Sequence, residues 1–229
     1  MLFFGVLSLL LVAASGQKCY KNVTSACERN DKPIDGITLP ECSAKYGSIA
    51  LNVNNFETGL QKFAVANLHE SFHLLYLSTY FGNYKVNREG FKKLYRHYSD
   101  KLWEDAIDIM KYLTKRGGKM NFQHSVDNEL HIKGDGKLTT VSELGSLGLV
   151  LDHMKVLAKA AFEIHASHSG VKQNDPAIAH YIEEKFLESH TQRIRDLAGY
   201  ITELKELSYT NSCHPTAVFL FDEFLQKSL

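Results

Sequence analysis

The sequence predicts an all-α protein: a four-helix bundle with a long crossover between its second and third helices and a short fifth helix at the C-terminus. Three observations predict it. Four long segments repeat apolar residues at three- and four-residue steps, the spacing that lines one stripe of an α-helix against a core. One connection, from Lys119 to about Thr139, is long enough to join helices that are not antiparallel neighbours. The closing stretch AVFLFDEFLQKSL is too apolar to stand free in water.

The first helix is expected from Asn55 to about Phe81, with Val65, His69, Phe72, Tyr76 and Tyr80 along one face and Gly82-Asn83 as its breaker. The second lies between Asn87 and Gly118, where Phe91, Leu94, Tyr95, Tyr98, Leu102, Ala106, Ile109, Met110 and Leu113 form a single stripe. Arg116-Gly117-Gly118 ends it, because glycine accepts the left-handed conformation of a C-terminal cap. Lys111, Lys115 and Arg116 suit the negative end of the helix dipole. Gly134-Asp135-Gly136 gives the crossover its turn chemistry.

The third helix begins near Thr140, capped by Thr140 or Ser142, and presents Leu144, Leu147, Leu151, Met154, Ala158, Ala161 and His165 until Ser167 to Gly170 closes it. Asn174-Asp175-Pro176 opens the fourth, with Asp175 as cap and Pro176 at the first helical position, where a missing N–H costs nothing. Its stripe is Ala179, Ile182, Phe186, His190, Ile194, Leu197, Ile201 and Leu204. On the fifth helix, Phe219, Leu220, Phe221, Phe224 and Leu225 spread apolar surface too widely for one bundle face. That helix is expected to be an assembly element and not part of the monomer's own core.

With 229 residues and 44% hydrophobic content, the chain can bury one sizeable core. Lys plus Arg number 26 and Asp plus Glu 26, and no dense cationic block appears, so nucleic-acid binding has no support. Residues 1–16, MLFFGVLSLLLVAASG, read as a signal peptide ending in small residues; the run is short for a membrane span, and none is expected in the mature chain. Residues 17–54 form a cysteine-containing extension, and 55–229 the bundle with its terminal helix. In an oxidising compartment Cys19, Cys27, Cys42 and Cys213 are candidates for disulfides, with three pairings open. Asn22-Val23-Thr24 is an N-glycosylation sequon, compatible with an exposed secreted segment.

Several short runs, in order and spacing, resemble the ferritin family and within it the secreted insect light-chain branch. They are Tyr76-Leu77-Ser78, Met110-Lys111, Arg116-Gly117-Gly118, Asn174-Asp175-Pro176, Ile182-Glu183 and the terminal Phe219-Leu220-Phe221-Asp222. The resemblance runs from about Asn55 to Leu229 and implies a ferritin-like four-helix bundle. The signal peptide and cysteine-bearing extension resemble the secreted branch as well.

Ferritin heavy chains carry a di-iron oxidation site inside each bundle. By resemblance its first-helix glutamate corresponds to His69, with the tyrosine seven residues on kept as Tyr76. The second-helix Glu-x-x-His corresponds to Leu102 and Asp105, and the fourth-helix glutamine to His190. The third-helix glutamate corresponds to Met154 if two residues are inserted between Ser167 and Lys172. Leu102 and Met154 fill a core where carboxylates would chelate iron, so neither ferroxidase activity nor a catalytic cofactor is expected. His69, Asp105 and His190 remain as a vestigial site for a single zinc or iron ion. The plainer reading is an internal network in which Asp105 pairs with a histidine.

The family's mineral-nucleating face corresponds to His97, Asp100 and Glu104, joined by Asp108, although Lys93, Arg96 and Lys101 stand among them. Its three-fold channel corresponds to His165, His180 and Glu183. The resemblance also implies that Cys27 bonds to a heavy subunit while Cys19 pairs with Cys42, and that the terminal helix lines a four-fold axis. The function so implied is iron storage and transport in a secreted cage of twenty-four subunits. That cage is built from heavy subunits and copies of this chain, carries iron as a ferric mineral, and occupies the secretory pathway and a haemolymph-type extracellular fluid. The alternatives are a ferroxidase with a displaced site around His69, Asp105 and His190, or a secreted helical signalling protein.

Overall fold

Among the described residues six helices and one wide turn follow one another: α1 (Phe56–Phe81), α2 (Glu89–Lys115), α3 (Glu143–His168), α4 (Pro176–Ile182), a π-helical turn (Glu183–Leu187), α5 (Glu188–Thr210) and α6 (His214–Ser228). The computed structural model describes residues 44–50, 56–123, 142–169, 175–210 and 214–228, and among these there is no strand. Residues 1–16, Cys19, Cys27, Cys42, Cys213 and Asn22 lie outside the described residues, as do most of the crossover and its Gly134-Asp135-Gly136. The unit that holds the helices runs from Lys45 to Leu229.

Local chemistry sets the turns. Between α1 and α2 the Arg88 N–H donates to the Phe81 carbonyl at 2.9 Å, and Asn87 takes φ +50°, a left-handed conformation that asparagine tolerates better than most residues. So tight a turn folds α2 back along α1, and the two pack together over their length. At the other end of α2, Gly117 (φ +81°) lets the Gly118 N–H reach the Leu113 carbonyl and the Gly117 N–H reach the Thr114 carbonyl, each at 3.0 Å. This is the Schellman arrangement that Arg116-Gly117-Gly118 implies. Of the two candidates for the α3 cap, Ser142 is the one used, its hydroxyl accepting from the Gly145 N–H at 3.0 Å.

The crossover follows from two ion pairs at opposite ends of the bundle. Arg88 Nε meets Glu143 Oε1 at 3.0 Å, which puts the start of α3 beside the start of α2. Arg116 meets Asp175 at 2.8 Å, which puts the start of α4 at the end of α2. Helices α2 and α3 therefore run in the same direction, and the chain between them must recross a 27-residue helix, about 40 Å. Asp175 stands at the cap position of α4, but its carboxylate is spent on Arg116 and on the Ser48 N–H at 3.2 Å instead of capping its own helix. Burial would raise that carboxyl; the bond and charge of Arg116, with the Ser48 N–H, more than offset it and hold the group below its ordinary range.

Three expectations need correction. The buried face of α1 is not that of Phe72 and Tyr76, which are 59% and 48% exposed, but that of Leu60, Phe63, Asn67, Glu70, Leu74, Leu77 and Phe81. Asn67, Glu70, Ser71 and His73 make that inner face polar enough that the outer aromatics mimic the core stripe. The fourth long helix is not one α-helix: α4 and α5 are joined by the π turn. Finally, α6 does belong to the core. Ala217, Val218, Phe221 and Leu225 are buried, while Phe219, Leu220 and Phe224 face outward. Asp222 Oδ1 accepts the Phe91 N–H at 3.0 Å and so caps α2, whose own cap residue Arg88 makes no such bond. A Cβ on Gly90 would lie 2.0 Å from the Asp222 carbonyl oxygen, so glycine is what lets α6 dock this closely.

Candidate metal centre

The inner face of α1 carries a carboxylate where hydrocarbon would be cheaper. Glu70 is fully buried, and an ionised carboxylate there must be paired or bound to a cation. Two imidazoles supply the pairing. His73, one turn along α1, puts Nδ1 3.1 Å from Glu70 Oε1, and His153 of α3 puts Nδ1 2.9 Å from Oε2. Each carboxylate oxygen thus has its own ring, and the two rings lie 5.2 Å apart at 51°. Burial by itself would raise the Glu70 carboxyl; the bonds from His153 and His73, and the charge on those rings, reverse this and hold it below the ordinary range. The group is an anion held between two nitrogen bases.

Helical geometry explains the cluster. Residues three apart share a helix face, so Glu70-Ser71-Phe72-His73 presents both ligand-type side chains inward while Phe72 points out to meet Trp103 edge to face at 5.9 Å. Among the described residues, Glu70, His73 and His153 are the group of three or more His, Cys, Asp or Glu side chains close enough to share one ion, with ligand atoms all within 4.8 Å. The signal for it was in the sequence as a Glu-x-x-His pattern on the first helix. The resemblance places that pattern on the second helix instead.

The residues expected to form the vestigial site are not gathered. Asp105 is taken by Arg193 of α5 at 2.7 Å, so its partner is an arginine and not a histidine. Burial keeps the Asp105 carboxyl above its ordinary value in spite of that bond and charge. His190 is fully buried with no hydrogen-bond partner among the described residues for either ring nitrogen, and it lies edge-on to Phe63 at 6.4 Å. Burial, with the charge of Arg193 adding to it, pushes its pKa down to about 3. His69 sits half-buried on the flank of α1, and Tyr76 faces outward. Leu102 and Met154 are both fully buried.

On the outer face of α2, Asp100 is paired with Arg96 at 2.9 Å and Glu104 with Lys101 at 2.8 Å, while Asp108 lies 3.6 Å from Lys111. His97 stands beside Tyr98 on the same helix. Of the three expected channel residues, two meet: His165 Nε2 lies 3.7 Å from Glu183 Oε2, joining α3 to the π turn, whereas His180 faces Glu184 at 3.5 Å.

A family model described as a ferritin-like domain matches residues 64–207. The ferritin light chain of Trichoplusia ni is 40% identical over 238 aligned residues, covering 100% of this chain and 99% of the relative. The ferritin light chain of Drosophila melanogaster is 35% identical over 226, covering 98% and 96%. The crystal structure of Trichoplusia ni secreted ferritin superposes with a TM-score of 0.75 at 39% identity, covering 92% of this chain and 99% of that one. No helix among the described residues is long and apolar enough to cross a membrane.

Proposed function

This chain belongs to the ferritin family, and on that premise we propose that it is an iron-storage subunit without a ferroxidase site, secreted and assembled into a cage beside a catalytic heavy subunit. One observation carries the non-catalytic part of this reading. At the positions where the resemblance calls for iron-bridging acids, Leu102 and Met154 are fully buried, and Asp105, which stands where the resemblance calls for a histidine, is tied to Arg193. An alkyl side chain and a thioether do not supply the hard oxygen ligands that a di-iron centre needs, so these residues do not fit one. The names of the relatives support the light-chain role and the secreted setting, and two relatives span nearly the whole chain.

In this role iron is cargo. The chain contributes a wall, a share of the channels and a face for mineral growth. His97, Asp100 and Glu104 are the mineral-contacting residues. Their ion pairs with Arg96 and Lys101 are no obstacle, because exposed pairs are worth about 0–1 kcal/mol and a trivalent cation displaces them cheaply.

The test is dioxygen consumption by the purified full-length chain supplied with Fe²⁺. Oxidation no faster than in buffer is expected, and saturable turnover by this chain alone would overturn the reading. Purification under non-reducing conditions should yield a cage-sized particle with a second ferritin-type chain, and a soluble monomer would refute the assembly.

A further inference from the structure

We propose that Glu70, His73 and His153 form a mononuclear binding site for a divalent first-row transition ion, Zn²⁺ or Fe²⁺, inside the bundle between α1 and α3. By the resemblance the di-iron positions correspond to His69, Leu102, Asp105, Met154 and His190, and none of the three residues proposed here is among them. The site also stands independently of the storage role.

The donor set is two imidazole nitrogens and one carboxylate, the composition of three-ligand zinc sites and of mononuclear iron(II) sites, both of which leave a position open for water. The three ligand atoms already lie within 4.8 Å of one another, close to the spacing of a coordination shell. Bonds of about 2.1 Å in a tetrahedral arrangement hold neighbouring ligand atoms about 3.4 Å apart. Here the Nδ1 atoms stand 3.1 Å and 2.9 Å from the two carboxylate oxygens. Two ligands come from one turn of one helix and the third from a second helix, so the backbone fixes all three directions before any ion arrives.

Without an ion, both Nδ1 atoms are placed to donate to Glu70, and His73 Nε2 is buried with no partner among the described residues. The His73 side chain is 5% exposed and that of Glu70 is 0% exposed, so water does not readily repair the deficit. An ion taking its place among the rings substitutes for the protons that now bridge them. Protons and the ion compete for the same nitrogen atoms, so metal binding weakens as the pH falls.

The probe is Co²⁺, added to the full-length chain as purified, with any partner chain, after chelation and dialysis. Wild type is expected to develop the intense visible bands of a low-coordinate Co²⁺ ion, saturating at one equivalent per chain, and Zn²⁺ or anaerobic Fe²⁺ should bleach them. Glu70→Gln and His153→Asn should each lose the bands, while Glu163→Gln, on the exposed face of α3, should keep them. Absence of the bands in wild type, their retention in His153→Asn, or their loss in Glu163→Gln overturns the proposal. Should both inner variants fail to fold, X-ray absorption on Zn²⁺-loaded wild type still decides: a first shell with two imidazoles is expected, and a shell without imidazole refutes the site. Which ion displaces Co²⁺ at the lower concentration identifies the one preferred.

Discussion

His190 is an imidazole that the fold keeps neutral. Its pKa falls from an ordinary 6.5 to about 3, so between those values the unfolded chain binds a proton that the folded chain refuses. Stability from this residue is complete above about pH 6.5 and is lost as the pH falls toward 3, amounting to about 2 kcal/mol at pH 5. His190→Leu removes both the proton linkage and two unpartnered nitrogens. The variant is expected to match or exceed wild type at pH 7 by about 1–3 kcal/mol and to widen that lead at pH 5, as denaturant titration at the two values would measure. On the surface the relevant residues are Asp100 and Glu104: Asp100→Asn with Glu104→Gln should leave stability within about 0.5 kcal/mol and slow ferric mineral growth in assembled particles, followed by light absorption. Legibility at this scale was uneven. Leu102 and Met154 could be read as core from their spacing alone, but Asp105 was assigned the wrong partner because Arg193 lies on a distant helix. The Glu70-x-x-His73 pair was passed over because the apolar residues Phe72 and Tyr76 set the phase of α1, and they lie on its exposed face.

Among the elements, α2 was legible almost to the atom, since one stripe and one glycine cap determine it. The stripe of the fourth long helix suggests a single rod, yet its own spacing contains the interruption. Ile178, Ile182, Phe186 and His190 are buried at three successive steps of four. At about 100° per residue those twelve residues would drift about 120° around a regular α-helix and carry one end of the stripe out of the core. One extra residue accommodated in a π turn removes about 100° of that drift, and the turn falls at Glu183–Leu187, between Ile182 and His190. The prediction is therefore unusual for a deletion inside a helix. Removing the exposed Lys185 should convert the turn to regular α-helix with the stripe still aligned, leaving helicity unchanged and thermal stability equal or higher. The same deletion at the exposed Thr191, in regular helix, should rotate the rest of α5 by about 100° and cost most of the folding free energy. Circular dichroism melts of the two deletions separate these outcomes.

For the whole molecule the question is what α6 does, and the two faces of that helix answer separately. Its apolar girth was legible in the sequence and correctly marked it as unfit for water. The division of that surface was not, because Gly90 and the Phe91 N–H receive Asp222 from far along the chain, and no local pattern announces such a contact. Phe221 is 1% exposed and packs on Phe91 at 5.8 Å and Tyr200 at 6.1 Å, so it belongs to the subunit's own stability. Phe219, Leu220 and Phe224 are 54%, 51% and 45% exposed in a lone chain, a cost that burial against neighbouring copies would recover. Phe221→Ala should then cost the subunit about 3–5 kcal/mol, seen as a lowered melting midpoint before any change in particle size. Phe219→Glu with Leu220→Glu should instead leave the subunit helical and its melt unchanged, while opening or shrinking the particle in sedimentation. An intact cage from the double glutamate variant would show that the outer face of α6 is spare surface. Unfolding of that variant would show that both faces serve the monomer.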